Sequence, residues 1–230
     1  MMESLREALY PLGFLSTIAF SWRFMQQWLT SELHQKSIVT RSFWQLSLVG
    51  NLLLLIHAFL QLQFHICIIQ ACNGIISWRN LDLMRERSEQ TSFRKVIILM
   101  ISSIIALAIG FALQGYFSGD GVIEWFRIPI WNGNAPQVGF LWHVIGFVGL
   151  VLFSGRFWIQ WWDAEKEHES SLGLPFWWLS VGGGALSLFY FVHIEDPINV
   201  VGPAFGMVPY IRNLILIYRV REEHQSVDLI

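Results

Sequence analysis

Charge is scarce in this sequence: only 14% of its 230 residues are Asp, Glu, Lys or Arg, and the formal net charge is −2. So small an imbalance, with no basic and aromatic face on a soluble segment, excludes the electrostatic footprint of a nucleic-acid binder. Cysteine is scarcer still. Cys67 and Cys72 lie five positions apart in one apolar run, on different helix faces, which excludes a disulfide framework or a metal pair and leaves them as small packing residues. His57, His65, His143 and His193 have no Glu or Cys at ligand spacing, so neither a metal nor another cofactor is implied. The apolar run after Arg6 lacks a small-residue cleavage site, and the first helix is expected to be retained.

What the sequence has in place of charge is hydrocarbon and aromatic surface. Hydrophobic residues make up 54% of the chain, with 12 Trp and 18 Phe, and the mean hydropathy is +0.47. That composition defines an all-α integral membrane protein. Runs long enough to cross roughly 30 Å of hydrocarbon predict seven spans: Leu9–Thr30, Phe43–Leu62, Phe64–Met84, Val96–Phe117, Gly139–Trp162, Phe176–His193 and Pro197–Tyr218. Lys36, Arg41, Arg85, Arg87, Arg94, Lys95, Lys166, Arg219 and Arg221 fall on one side of these spans, against Arg6 and Arg127 on the other. The positive-inside rule then puts the N-terminus outside and the C-terminus in the cytoplasm.

The chain also contains itself twice. Ser21, Arg23, Phe24, Gln27, Trp28 and Glu32 recur as Ser154, Arg156, Phe157, Gln160, Trp161 and Glu165. Phe43, Trp44, Leu46, Ser47 and Gly50 recur as Phe176, Trp177, Leu179, Ser180 and Gly183, and Arg79, Asn80 and Leu81 recur as Arg212, Asn213 and Leu214. Arg156 stands 133 residues after Arg23, as Gly183 does after Gly50 and Arg212 after Arg79. An offset without insertion or deletion implies two structurally equivalent units. The expected organisation is a first three-helix repeat over residues 9–84, a linker helix and outer loop over 85–138, and a second repeat over 139–220. Because one linker helix separates them, the repeats are parallel, in the 3+1+3 order of SWEET sugar transporters.

The repeated polar residues are the candidate site. Arg23 and Gln27, like Arg156 and Gln160, are one turn apart on one helix face, and charge inside a span faces a bundle interior, a cavity or a partner. Arg23, Arg79, Arg156 and Arg212, with Gln27, Gln160, Asn80 and Asn213, are candidates to bind an anionic group, because guanidinium recognises phosphate in a planar, bidentate fashion. The alternative is that each arginine snorkels from near the cytoplasmic end to lipid headgroups or a neighbouring carbonyl. Glu32 and Glu165 are candidate arginine partners, while Asp163, Glu167 and Glu169 read as a solvated loop. Pro197, Pro203 and Pro209 have no counterparts in the first repeat, so the last helix is expected to be bent or broken, a candidate hinge. The loop Ser118–Gln137, with Trp125, Phe126 and Trp131, is expected at the outer headgroup region.

Ser-x-Arg-Phe-x-x-Gln-Trp, Phe-Trp-x-Leu-Ser-x-x-Gly, Asp196-Pro197 and Tyr210-x-Arg212-Asn213-Leu214 resemble the lipid A biosynthesis N-terminal domain family, a three-helix membrane module related to the PQ-loop and SWEET group. The first copy departs from the pattern at Ser42 and Gln63. The resemblance implies a Gram-negative inner membrane and a lipid A setting, because the family is named for its place ahead of lipid-A-disaccharide synthase. It does not imply catalysis here: about a dozen residues follow the last predicted span, against the order of 100 that a nucleotide-sugar domain needs. The implied partners are an anionic glycolipid or phospholipid and enzymes of the lipid A pathway. Three roles are open: binding and translocating a lipid A precursor or polyprenyl-phosphate sugar, anchoring lipid A enzymes as a scaffold, or serving as an accessory module of the synthase.

Overall fold

In a computed structural model the described residues are 8–9, 11–117, 125, 139–194 and 197–227. Arg6, Arg127, Asp196 and the outer loop except Trp125 lie outside them. The described residues form seven α-helices: α1 Pro11–His34, α2 Arg41–Leu60, α3 Phe64–Leu83, α4 Phe93–Phe117, α5 Phe140–Glu167, α6 Leu174–His193 and α7 Pro197–Val227. A short 3₁₀ turn, Arg87–Glu89, precedes α4.

Five of these helices, α2, α4, α5, α6 and α7, are long and apolar enough to cross a membrane. Helices α1 and α3 fall short, and both carry repeated polar residues: Arg23 and Gln27 in one, Arg79 and Asn80 in the other. Large apolar side chains cover the outside, with Phe14 70%, Leu33 83% and Phe140 83% exposed. A surface of that kind suits hydrocarbon as solvent, and helices suit it too, because they satisfy their backbone internally. The protein is a helical membrane protein.

The repeats end their first helices alike. Gln35 and His168, equivalent positions after α1 and α5, are non-glycine residues in left-handed backbone, with φ of 52° and 54°. This is the conformation that closes a helix and turns the chain. After α1 it lets the Lys36 N–H reach the Ser31 carbonyl at 3.2 Å. Pro175 lies in the first turn of α6, where no backbone N–H is missed.

The chain divides into two compact units. The first comprises residues 1–23 and 41–131, the second residues 24–40 and 132–230. The boundary falls inside α1, so the second half of the first helix belongs with α5, α6 and α7. In the first unit α2 packs on α3 and α3 on α4. Its core gathers Ala58, Leu62, Cys67 and Phe111, with Phe111 edge-on to Phe59 and Phe64 at 5.1 Å. In the second unit α5 packs on α6 and α6 on α7. Helix α7 runs unbroken through Pro203 and Pro209, so the prolines do not interrupt it. Each removes only one i to i−4 bond, and the ladder on either side of it carries the helix on.

Candidate functional site

In the first unit Arg23 is 5% exposed and donates from Nη1 to Ser47 Oγ at 2.7 Å. Ser47 in turn donates to the Phe43 carbonyl at 2.6 Å, which points its lone pairs at the guanidinium. The rings of Phe20 and Phe43 lie 4.6 and 5.3 Å from Arg23 Cζ, a cation–π environment for a charge removed from water. Gly50 makes room for this: a Cβ there would stand 2.5 Å from the Phe20 ring.

The second unit repeats the arrangement with more aromatic cover. Arg156 is 1% exposed and donates to Ser180 Oγ at 3.2 Å, while Ser180 donates to the Phe176 carbonyl at 2.7 Å. The Phe153 ring centroid is 3.5 Å from Arg156 Cζ, and Phe157, Phe24, Phe176 and Tyr210 surround it within 5.4 Å. Its Nε has no hydrogen-bond partner. Among the described residues Arg156 makes no ion pair.

The glutamines and asparagines act on the backbone. Gln27 Nε2 donates to the Ile38 carbonyl at 3.2 Å, and Gln160 Nε2 to the Ser171 carbonyl at 3.1 Å. Ile38 and Ser171 are themselves equivalent positions, so each glutamine ties down the loop after its own helix. Asn80 Nδ2 donates to the Ile76 carbonyl at 2.9 Å and Asn213 Nδ2 to the Pro209 carbonyl at 2.8 Å. Within the second unit Gln27 and Asn213 also meet. Gln27 Nε2 donates to Asn213 Oδ1 at 2.8 Å, Asn213 Nδ2 returns a bond to Gln27 Oε1 at 3.2 Å, and Ser37 Oγ donates to Asn213 Oδ1 at 2.8 Å. Paired buried amides satisfy groups that would be costly to leave alone.

The remaining arginines find carboxylates. Arg79, 2% exposed, pairs with Asp82 at 2.5 Å and donates to the Thr91 carbonyl at 2.6 Å. Arg212 forms a two-pronged pair with Glu32, whose second contact is 2.9 Å. That pair is partly open, each side chain being 29% exposed. The hydrogen bond from Arg212 holds the Glu32 carboxyl below its ordinary pKa. Glu32 also accepts from Trp28 Nε1 at 3.3 Å, as Glu165 does from Trp161 Nε1 at 2.8 Å.

Each unit therefore holds two of the four arginines in separate settings. Arg23 and Arg156 sit in hydroxyl and aromatic cages, while Arg79 and Arg212 sit in ion pairs. Sequence reasoning identified these residues but missed Ser47, Ser180, Asp82 and Ser37 as their partners. The signal for the two serines was present: each follows its arginine by 24 residues in both copies. The donors here are guanidinium, amide, indole and hydroxyl groups and the acceptors hydroxyls, carbonyls and carboxylates, groups that can bind and position a polar ligand.

Fold and site together define a helical membrane protein built from a tandem module that carries its arginines at repeated helical positions. The sequence profile described as the Lipid A Biosynthesis N-terminal domain matches residues 12–82 and again 145–215, and the chain belongs to that family. It is 34% identical over 212 residues to the lipid-A-disaccharide synthase of Chlamydia abortus, covering 92% of this chain and 33% of that protein. To the enzyme of the same name from Chlamydia pneumoniae it is 36% identical over 221 residues, 96% of this chain and 35% of the other. With that of Chlamydia trachomatis serovar D the identity is 34% over 207 residues, 90% and 33% of the two chains. The chain thus spans about a third of the length of these relatives. No solved structure matches it.

Proposed function

We propose that this chain is a membrane module of lipid A biosynthesis that binds an anionic glycolipid and serves lipid-A-disaccharide synthase as an accessory or anchoring element. The observation that carries the binding role is Arg156: a guanidinium 1% exposed, caged by rings, with no ion pair among the described residues. A buried cation without a counter-charge is costly, and a phosphate oxygen is the partner its planar fork fits. Within the second unit Arg212, Gln27, Gln160 and Asn213 are the further donors of this reading, and in the first unit Arg23, Arg79 and Asn80 occupy the equivalent positions. The near-complete alignment with one third of the synthases supports the pathway and the partner.

In this reading the two repeats are parallel three-helix units joined by linker helix α4, in the SWEET-like 3+1+3 order. They lie in a bacterial inner membrane with the N-terminus periplasmic and the C-terminus cytoplasmic. A second reading, movement of the glycolipid between leaflets, is favoured by Pro203 and Pro209 inside α7, with Pro197 at its start. Prolines free carbonyls at which a helix can flex.

Native mass spectrometry of the purified protein with its co-purifying lipids tests the binding role, with wild type beside Arg23→Ala/Arg156→Ala and a milder Arg156→Lys. The expected result is a phosphorylated glycolipid retained by wild type and lost by the double variant. Bulk phospholipid held equally by all three, each monodisperse on size exclusion, would leave only the anchoring role.

A further inference from the structure

Just outside the Arg156 cage, on the same face of α5, the second unit contains an apolar hollow of about 360 Å³ between α5, α6 and α7. Phe147, Leu150 and Phe153 form its α5 wall, and Phe191 and Pro203 close it from α6 and α7. Phe153 is shared: it lines the hollow and lies 3.5 Å from Arg156 Cζ. At the other end the Tyr190 hydroxyl and His143 Nδ1 approach to 3.4 Å, and both line the hollow. Its surroundings are therefore apolar along the length, with a hydroxyl and an imidazole at one end and a ring-covered cation at the other.

We propose that this hollow is a seat for one acyl chain of a membrane lipid, contiguous with the buried cation. The proposal rests on the anionic-lipid reading for its headgroup end, while the chain seat stands on its own geometry. The three helices that form it are all long and apolar enough to span a membrane, so hydrocarbon, not water, is the medium that meets it. Phe147 and Leu150 are 65% and 54% exposed, which leaves the hollow open for a chain to enter sideways. Its volume falls within the roughly 300–1,000 Å³ of small-ligand sites.

The internal repeat supplies a control. Where the second copy has Ser187 and Pro203, the first has Leu54 and Gln70, a bulkier and a polar side chain that would fill or break the same seat. Ser187→Leu therefore transplants the first copy's residue into the hollow without adding charge.

The experiment uses the full chain in nanodiscs of phosphatidylethanolamine with a minority of phosphatidylglycerol. A trace of phosphatidylglycerol carrying a mid-chain diazirine is added, and a parallel sample receives diacylglycerol with the same chain. After illumination the labelled peptides are mapped. The expected result is labelling concentrated on α5 near residues 147–153 and on α6 near 187–191, saturable by unlabelled lipid. It should fall about tenfold, the change that ~1.4 kcal/mol of binding gives, in both Ser187→Leu and Leu150→Trp. Labelling spread evenly over the lipid-facing helices, or unchanged in two variants that remain monodisperse, overturns the proposal. Equal labelling by the charged and uncharged lipids supports the chain seat and counts against the anionic headgroup reading. Preference for the phosphate-bearing lipid supports both.

Discussion

Arg79 and Arg212 occupy one position of the repeat and are neutralised from different directions. In the first unit the acid is Asp82, one turn along the same helix, and the pair is almost wholly buried. In the second that position is Ile215, and the acid is Glu32 at the end of α1, in a pair open to its surroundings. The interiors diverge in the same way. Asn51 in the first unit donates to Ser77 at 3.3 Å. Their counterparts are Gly184 and Tyr210, where a Cβ on the glycine would lie 3.7 Å from the tyrosine ring. A polar pair of two middling side chains has been exchanged for a large ring over a vacant Cβ, and the ring joins the cage around Arg156. Equivalent frames thus support a first unit in which Arg79 meets an acid on its own helix and a second whose buried arginine is wrapped in rings and whose outer arginine is held from another helix.

The largest effect should come from the buried pair. Asp82→Asn removes the Asp82 carboxylate from the buried Arg79, and breaking such a pair typically costs about 3–5 kcal/mol. Thermal denaturation in detergent should show it as a large drop in midpoint, and a small drop would mean that Thr91 and other contacts carry the charge. The two glycines come next. A methyl at Gly183 would lie 2.6 Å from the Phe153 backbone nitrogen, whereas at Gly50 it meets the ring of Phe20, which can turn aside. Gly183→Ala should therefore lose about 1–3 kcal/mol through overpacking. Gly50→Ala should lose much less, partly offset by the helix preference of alanine. Equal losses would show that the helices pack alike in both units.

The serine partners should separate by a smaller margin. Ser47→Ala removes a 2.7 Å bond to Arg23 and should cost about 1.5–3 kcal/mol, while Ser180→Ala removes one at 3.2 Å from an arginine that keeps its five rings, and should cost less. The same denaturation assay ranks them, and a reversed order would mean that the rings contribute little to holding Arg156.

The smallest effect is pH-dependent and confined to the second unit. Arg212 lowers the pKa of Glu32 in the folded state. The pair's contribution is therefore fully present above the ordinary glutamate value and is lost as pH falls through the lowered one. Glu32→Gln should denature earlier than wild type at neutral pH, by less than Asp82→Asn does. The difference should close on acidification, and one that persisted at low pH would point to packing as the role of Glu32.

Much of this was legible beforehand because it is periodic. Apolar runs located all seven helices, although α7 extends nine residues past the expected Tyr218 and only five are apolar enough to cross a membrane, and the fixed offset identified Arg23, Gln27, Asn80 and their counterparts as equivalent positions. What the pattern could not convey was the partner. A repeat in sequence says that two positions do the same thing, but hydrogen bonds such as Gln27 to Asn213 join residues far apart in the chain. Of the expectation that α7 is bent or broken, the break is absent: the helix runs continuously through Pro203 and Pro209, because each proline removes only one bond from a long hydrogen-bonded ladder.

The sequence by itself determined the medium, the helices and the family, because hydropathy and spacing are local properties that a membrane enforces strongly. Only the tertiary structure decided that α1 is divided between two packing units, that Ser47 and Ser180 hold the buried arginines, and that Asp82 and Glu32 perform one job from different helices. Those choices depend on which side chains come within about 3 Å of one another, and distance between helices is set by packing, not by position in the chain.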